Sequence, residues 1–233
     1  MSLLTVVQRA SVQVGIDKPT AALGSGNSTY EQMAELANVE GEELARAADW
    51  RALNRQLTVT GDGTTTLWGL PSDFERFIIP DPLWEEDRPM FPLEGPYTPS
   101  QMLAIQAANI NPPYYVWRLV EEELEIYPAL PSAKVINGEY FTTKWATDST
   151  DTNDLLYYTN DSDIALIDER IITLGVVWRW KRAKGMDYVE EFRTYEMEKA
   201  KRIGADGGKS VVSSSRSNKW LGASRKNAYQ VTG

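Results

Sequence analysis

The chain has 233 residues, of which 42% are hydrophobic and 24% charged, and its formal net charge at pH 7 is −9. It contains no histidine and no cysteine. These absences exclude an imidazole base, a cysteine nucleophile, a thiolate metal site and a disulfide, so acid–base chemistry would fall to carboxylates, lysine or tyrosine. We expect no bound metal and no cofactor.

Two helices are predicted at the N-terminal end of the chain. An apolar stripe predicts the first over residues 3–14, with Ser2 as its N-cap. Ser28 and Glu31 have the spacing of a capping box, which predicts a second helix from Ser28 to about Ala48. The first 16 residues lack a basic flank and a long apolar run, so they predict neither a signal peptide nor a membrane span.

The pattern changes to strands from Arg55. Residues 55–71 alternate around Asp62-Gly63 and predict a hairpin. Residues 114–131 predict a second hairpin that turns at Glu121 to Glu123. Residues 134–147 predict further strand, broken at Asn137-Gly138.

Loops and one short helix separate these strands. Residues 80–99 are rich in proline and acidic side chains and predict a long surface loop. Thr98 and Gln101 form a capping-box pattern with proline at the first helical position, which predicts a helix to about Asn109. Residues 148–163 are polar and acidic and predict another loop.

A long helix is predicted from Ile164 to Gly185, followed by a last helix from Asp187 to about Ile203. Ile167, Ile171, Leu174 and Trp178 recur at three- and four-residue spacing along one face of the long helix. The rest of its circumference is also apolar, so protein must cover it on nearly all sides. It is either a central core helix or a helix shared with a subunit interface. The candidates for contact between copies are Ile172, Val176 and Trp180.

The order of elements predicts an α+β fold. Residues 1–54 and 162–206 would pack as a helical bundle, and residues 55–161 would form an inserted β-rich lobe. Residues 207–233 would form an extended C-terminal tail. The tail is rich in serine and glycine and carries five basic and no acidic residues, which leaves −14 on the remainder. We predict that it is disordered in the free protein and is an arm for an acidic partner, or else a merely solvating terminus.

Three segments carry a resemblance to a known family: EELARAADWRAL (42–53), LWGLPSDFERFI (67–78) with the hairpin after it, and the helical stretch 166–192. In their order and spacing they resemble the head–tail adaptor (connector, or head-completion) proteins of tailed bacteriophages. The resemblance covers roughly the first 200 residues.

The resemblance implies a structural virion protein without catalytic activity, made in the host cytoplasm and placed at the head–tail junction. It implies a homo-oligomeric ring of about twelve copies that joins the portal protein to the tail or a tail-completion protein. DNA would pass through the ring without sequence-specific binding. The C-terminal tail would reach into the portal, and its candidate contacts are Arg216, Lys219, Trp220, Leu221, Arg225 and Lys226.

Two other functions remain open from the residues alone. Glu85, Glu86 and Asp87 beside Trp84 could serve a carboxylate-based glycan hydrolase, which needs two carboxylates about 5–9.5 Å apart. A solvated acidic loop is the plainer interpretation of these residues. A carbohydrate-binding module could use Trp68, Trp84, Trp117 and Trp145, which could equally pack the β-rich lobe.

Overall fold

Helices and antiparallel strands both occur in the chain, which confirms the predicted α+β class. The computed structural model describes residues 2–79, 82–108 and 114–207. The helices within these ranges are α1 (Leu3–Gln13), α2 (Ser28–Ala47), α3 (Pro99–Ala107), α4 (Glu169–Ala183) and α5 (Val189–Asp206). The strands are β1 (Asn54–Thr60), β2 (Leu67–Gly69), β3 (Phe74–Phe77), β4 (Leu83–Glu85), β5 (Arg88–Pro92), β6 (Val116–Val120), β7 (Glu123–Tyr127), β8 (Val135–Thr142), β9 (Ala146–Thr147), β10 (Asp154–Leu155) and β11 (Ile164–Ala165).

Helix α4 lies at the centre of the helical part and packs against α1, α2 and α5. Its side chains at Ile171, Ile172, Val176 and Val177 are buried all round the helix. This burial agrees with the apolar circumference of its sequence. The arrangement of the four helices as a bundle stays a prediction, as does the division of the chain into a bundle and a lobe.

Helix α4 begins five residues later than predicted. Asp168 is the N-cap of α4, because its side chain accepts a hydrogen bond from the backbone N–H of Arg170 (2.9 Å). Ile164 and Ala165 are extended and pair with β9. Ile167 is buried but precedes the helix. Its four-residue spacing from Ile171 therefore does not reflect a shared helical face.

The capping predictions have mixed outcomes. The capping box of Thr98 and Gln101 is present at the start of α3. Helix α2 is capped by Asn27 rather than Ser28, since the Asn27 side chain accepts from the backbone N–H of Thr29 (3.0 Å). Ser2 makes no capping hydrogen bond to α1, and its hydroxyl instead lies 3.2 Å from that of Thr5.

The strands of the described residues form three antiparallel sheets. The largest has the order β1-β8-β4-β5, with β3 also paired to β8. The others have the orders β2-β7-β6 and β10-β9-β11. The second predicted hairpin is confirmed, because β6 pairs with β7 across a turn in which Glu121 has a φ of 56°.

Four predictions for the β-rich segment were wrong: one hairpin, one strand break and two loops. The first hairpin does not form, because β1 pairs with β8 and β2 pairs with β7. Asn137-Gly138 lies inside β8 rather than at a break. The predicted loop 80–99 contains β4 and β5, and the predicted loop 148–163 contains β10.

Side chains from the β-rich segment also enter the helical core. Trp145, Phe141 and Tyr158 belong to the same buried cluster as α1, α2 and α4. A side chain at Gly41 of α2 would overlap the indole ring of Trp145, so glycine is required there for the close approach. A second cluster packs within the β-rich segment around Leu83, Leu124, Ile126 and Ile136.

Candidate interaction surfaces

The side chains predicted for contact between copies lie inside the single chain. Ile172 and Val176 have no exposed surface, and Trp180 is 7% exposed. Trp178 is also buried, with its ring against Tyr188, Phe192 and Tyr195 of the following segment. Contact between copies through Ile172, Val176 and Trp180 stays a prediction, and the burial of these side chains leaves them almost no surface to offer a neighbour.

A buried ion pair joins α2 to α4. Arg179 Nε donates to Glu40 Oε2 at 2.6 Å, and the same guanidinium donates to exposed Glu43. Burial raises the pKa of the Glu40 carboxyl above its ordinary value of 4.5, against hydrogen bonds from Tyr195 and Arg179 that lower it. Desolvation of the two charges offsets much of their attraction, so a buried pair of this kind adds little net stability.

The acidic residues beside Trp84, which the glycan-hydrolase alternative would use, contact Lys134 or lie exposed. Glu85 is buried and lies 2.7 Å from Lys134 Nζ, which also lies 3.0 Å from Asp87. Hydrogen bonds to these two carboxylates raise the pKa of Lys134. Both carboxylates are therefore held in ion pairs, and Glu86 is left exposed beside them.

The four tryptophans of the carbohydrate-binding alternative do not form a common exposed face. Trp117 and Trp145 are buried, each in a different core cluster. Trp68 and Trp84 are half-buried. A sugar platform needs exposed rings, so these positions support the packing role.

Exposed apolar side chains, which the sequence reasoning missed, are spread over several elements of the described chain and include two groups. The first comprises Met90 and Phe91 of β5 with Tyr114. The second comprises Met186, just before α5, with Val189, Phe192 and Met197 of α5. A signal for the first was present in the sequence, because residues 89–108 carry a single charged residue, Glu94.

Other kinds of site find no support in the described ranges. Within residues 2–79, 82–108 and 114–207, no group of three or more carboxylates could hold a metal ion. No helix in that part of the chain is long and apolar enough to cross a membrane. The tail residues predicted to bind the portal (Arg216, Lys219, Trp220, Leu221, Arg225 and Lys226) lie outside the described residues.

The comparison with protein families identifies the class of protein. A family model matches residues 1–218, and its members are head–tail adaptors of tailed phages, structural proteins of the virion. The chain belongs to the SU10 adaptor protein family. The resemblance found in the sequence is thereby confirmed. No curated protein matches the chain.

Family membership implies interaction with the portal and tail proteins of a phage. The match ends at residue 218, after Arg216 and before Lys219, Trp220 and Leu221. Most of the predicted portal anchor therefore lies outside the matched residues.

Proposed function

We propose that the chain is a head–tail adaptor that forms a ring, joins the portal to the tail and leaves a channel for DNA. Its mechanism is assembly rather than catalysis. The observation that carries the proposal is the family match over residues 1–218. The ring, its copy number of about twelve and the channel go beyond that match and come from the resemblance.

The distribution of charge supports a channel role for the β-rich segment. Residues 55–161 contain 17 acidic and six basic side chains, a net charge of −11. Glu121, Glu122 and Glu123 are all exposed at the turn between β6 and β7. An acidic wall repels the phosphate backbone, so duplex DNA would slide past it without binding.

The opposite charge of the C-terminal tail supports its assignment to the portal. Residues 207–233 carry a net charge of +5 and place Trp220-Leu221 among the basic residues. Tryptophan and arginine are enriched in interface hot spots, and a positive segment would be steered towards carboxylates of a partner. Repetition around a ring would multiply a weak contact per copy.

The test is assembly on the portal of the same phage. The purified chain is mixed with purified portal, and the complex is examined by native mass spectrometry and cryo-electron microscopy. We expect a closed ring of the chain at one end of the portal, with an open central channel. The full-length chain is tested at concentrations up to about 100 μM, which is roughly 100-fold above a micromolar dissociation constant. The absence of portal binding over this whole range would overturn the proposal.

A further inference from the structure

Strand β1 has one side without a partner strand. It runs from Asn54 to Thr60 and pairs with β8 in an unbroken antiparallel register. Among the described residues no second strand pairs with it. We call the side of β1 that faces away from β8 the β1 edge.

The backbone groups on the β1 edge can be identified from the register. Gln56 lies opposite Glu139 of β8, and the backbone N–H and carbonyl of Glu139 bond to the segments that flank β3 and β4 instead. Because backbone groups of an antiparallel pair alternate in direction, those of Gln56 point away from β8. The same alternation places the N–H and carbonyl groups of Thr58 and Thr60 on the β1 edge.

Other strand edges of the described chain carry features that hinder pairing. Strand β5 contains Pro89 and Pro92 and has a register shift against β4. The outer side of β6 is covered, since Trp117 N–H donates to the carbonyl of Glu94 at 3.0 Å. Strands β2, β10 and β11 have only two or three residues.

The β1 edge has none of these features. Its seven residues include no proline, and its exposed side chains, Gln56, Thr58 and Thr60, are uncharged. Unprotected edges of this length are sites at which a further extended segment adds to a sheet through main-chain hydrogen bonds.

The chain supplies an undescribed segment that starts beside the β1 edge. At the end of α5, Asp206 Oδ2 accepts from the backbone N–H of Arg51 at 2.8 Å. Residues 51–53 form one 3₁₀ turn that leads directly into β1, so Arg51 lies roughly 6 Å from the start of the strand. Residues 207–209 can span at most about 10 Å, which is enough to bring residue 210 alongside Asn54.

Residues 210–216, SVVSSSR, suit a strand that matches β1 in length. Val211 and Val212 are β-branched and favour extended backbone. The chain has no proline after Pro131, so every residue of the segment can donate a ladder hydrogen bond.

The charges around the β1 edge attract a basic segment. Residues 55–161 have a net charge of −11, against +5 for residues 207–233. Asp62, two residues beyond β1, is exposed and forms no ion pair within the described ranges. Arg55 and Lys134, the cations nearest to β1 in its sheet, are already bound to carboxylates. At the other end, exposed Arg51 lies beside Asp206, which offsets its charge.

From these observations we propose that residues 210–216 pair with the β1 edge of the same copy as a parallel strand, with Arg216 reaching Asp62. The tail is tethered at the start of β1, so a weak contact suffices for it to be occupied. Residues 217–233, which include Trp220, lie beyond the added strand and keep the disorder predicted for the tail. The inference concerns the free chain and does not depend on the portal.

The first test is amide hydrogen exchange of the free chain, measured by NMR. We expect the N–H groups of Gln56, Thr58 and Thr60 to exchange about tenfold more slowly in the full chain than in a chain ending at Asp206. A single edge strand opens well below the melting temperature of the body, so both chains should melt alike.

Two proline variants localise the contact within the tail. Val212→Pro removes a donor from the proposed strand and should abolish the slow exchange on the β1 edge. Ala223→Pro is the matched control, since it lies in the same tail outside the strand, and it should keep the slow exchange. Both positions lie outside the described body, so neither variant alters its packing.

The second test uses the absence of cysteine, which makes introduced thiols the only ones present. A chain with Thr58→Cys and Ser214→Cys is treated with a short bis-maleimide at low micromolar concentration. Because residue 214 would lie beside Thr58, we expect an efficient cross-link within one copy. Thr58→Cys with Thr232→Cys is the control and should cross-link much less.

The outcomes separate this inference from its alternatives. Equal exchange of the β1 edge in the full and truncated chains would overturn it. Cross-links mainly between copies would also overturn it, because they place the tail on another copy. Slow exchange in the truncated chain together with a dimeric mass would show instead that a second copy covers β1. Failure to bind the portal would overturn the proposed function and leave the exchange result standing.

Discussion

A methyl group on Gly175 would lie 2.7 Å from Oε2 of Glu40 and closer still to the carbon atoms of that side chain. Glycine at this position therefore sets the distance between α2 and α4, and it leaves room for the buried carboxylate that Arg179 binds. The same close approach allows Ile172 and Val176 to pack without exposed surface.

The first prediction follows from this contact. Gly175→Ala should destabilise the fold by about 1–3 kcal/mol, because overpacking a core outweighs the gain in helix propensity. Urea unfolding followed by circular dichroism measures the change. Gly204→Ala is the control, since Gly204 lies in α5 with no atom within 4 Å of an added methyl group. It should stabilise by about 0.5–1 kcal/mol. Equal effects of the two variants would contradict the packing assigned to Gly175.

A second prediction concerns the two apolar positions singled out on α4. Ile171 is fully buried, whereas Leu174 is only partly buried. Ile171→Asp should cost several kcal/mol and unfold the protein, because it leaves a charge buried without a partner. Leu174→Asp should be tolerated better, since its carboxylate can reach water. Thermal melting of both variants gives the comparison, and a wild-type melting temperature for Ile171→Asp would show that α4 is not central.

Trp180 tests whether this side of α4 serves folding or assembly. Because Trp180 is 7% exposed in the single chain, Trp180→Ala should cost about 3–5 kcal/mol of stability. A variant that melts like the wild type yet fails to form rings would instead support the predicted subunit contact. Differential scanning calorimetry and ring counting on the portal distinguish the two results.

A pH dependence is expected from the loop between β9 and β10. Hydrogen bonds from the Thr152 backbone, the Asn153 side chain and the Thr150 hydroxyl hold the pKa of Asp148 below its ordinary value of 3.8. A carboxyl whose pKa is lower in the folded state stabilises the fold above about pH 4 and loses that contribution as the pH falls. Asp148→Asn should therefore show a shallower loss of stability between about pH 4 and pH 2 than the wild type. Unfolding in urea at several pH values checks this, and parallel pH profiles would contradict it.

The last prediction concerns the basic tail. A chain ending at Asp206 should keep the melting temperature of the full chain but lose at least tenfold in portal affinity. Raising the salt concentration should weaken portal binding by the full chain more than by the truncated chain, because salt screens the charged contacts of the tail. Undiminished portal binding by the truncated chain would leave the tail as a solvating terminus. Trp220→Ala separates the apolar anchor from the charges, since it should lower affinity without changing the salt dependence.

Local patterns in the sequence predicted the elements whose stabilising contacts are also local. Thr98 and Gln101 are three residues apart and form the expected capping box, and β6 and β7 are joined by a two-residue turn. The pairing of β1 with β8 joins Val59 to Ile136, which no local pattern could indicate. The Asp62 turn is real, because its side chain accepts from the backbone N–H of Thr64 and Thr65, but the strands on either side pair elsewhere.

Asn137-Gly138 shows why a turn motif can mislead. A side chain at Gly138 would lie 2.5 Å from Leu83 Cδ2, so glycine allows β4 to approach β8 rather than allowing a reversal of the chain. The interaction surfaces were missed for a different reason. The exposure of Phe91, Val189 and Met197 depends on which residues pack against them in the folded chain. The sequence alone does not distinguish an apolar residue in the core from one on the surface.

The attachment of the first helix has a consequence for the order of folding during synthesis. The backbone N–H groups of Leu3 and Leu4 donate to carbonyls of Asp163 and Asp161, and the Asp161 side chain accepts from the backbone N–H groups of Ala22 and Leu23. The ribosome must therefore translate about 160 residues beyond Leu3 before α1 can acquire these partners. Such non-local closure is slow relative to helix formation. The faces of α1 and α2 that pack on α4 in the folded chain would stay uncovered throughout that interval, which exposes them to aggregation.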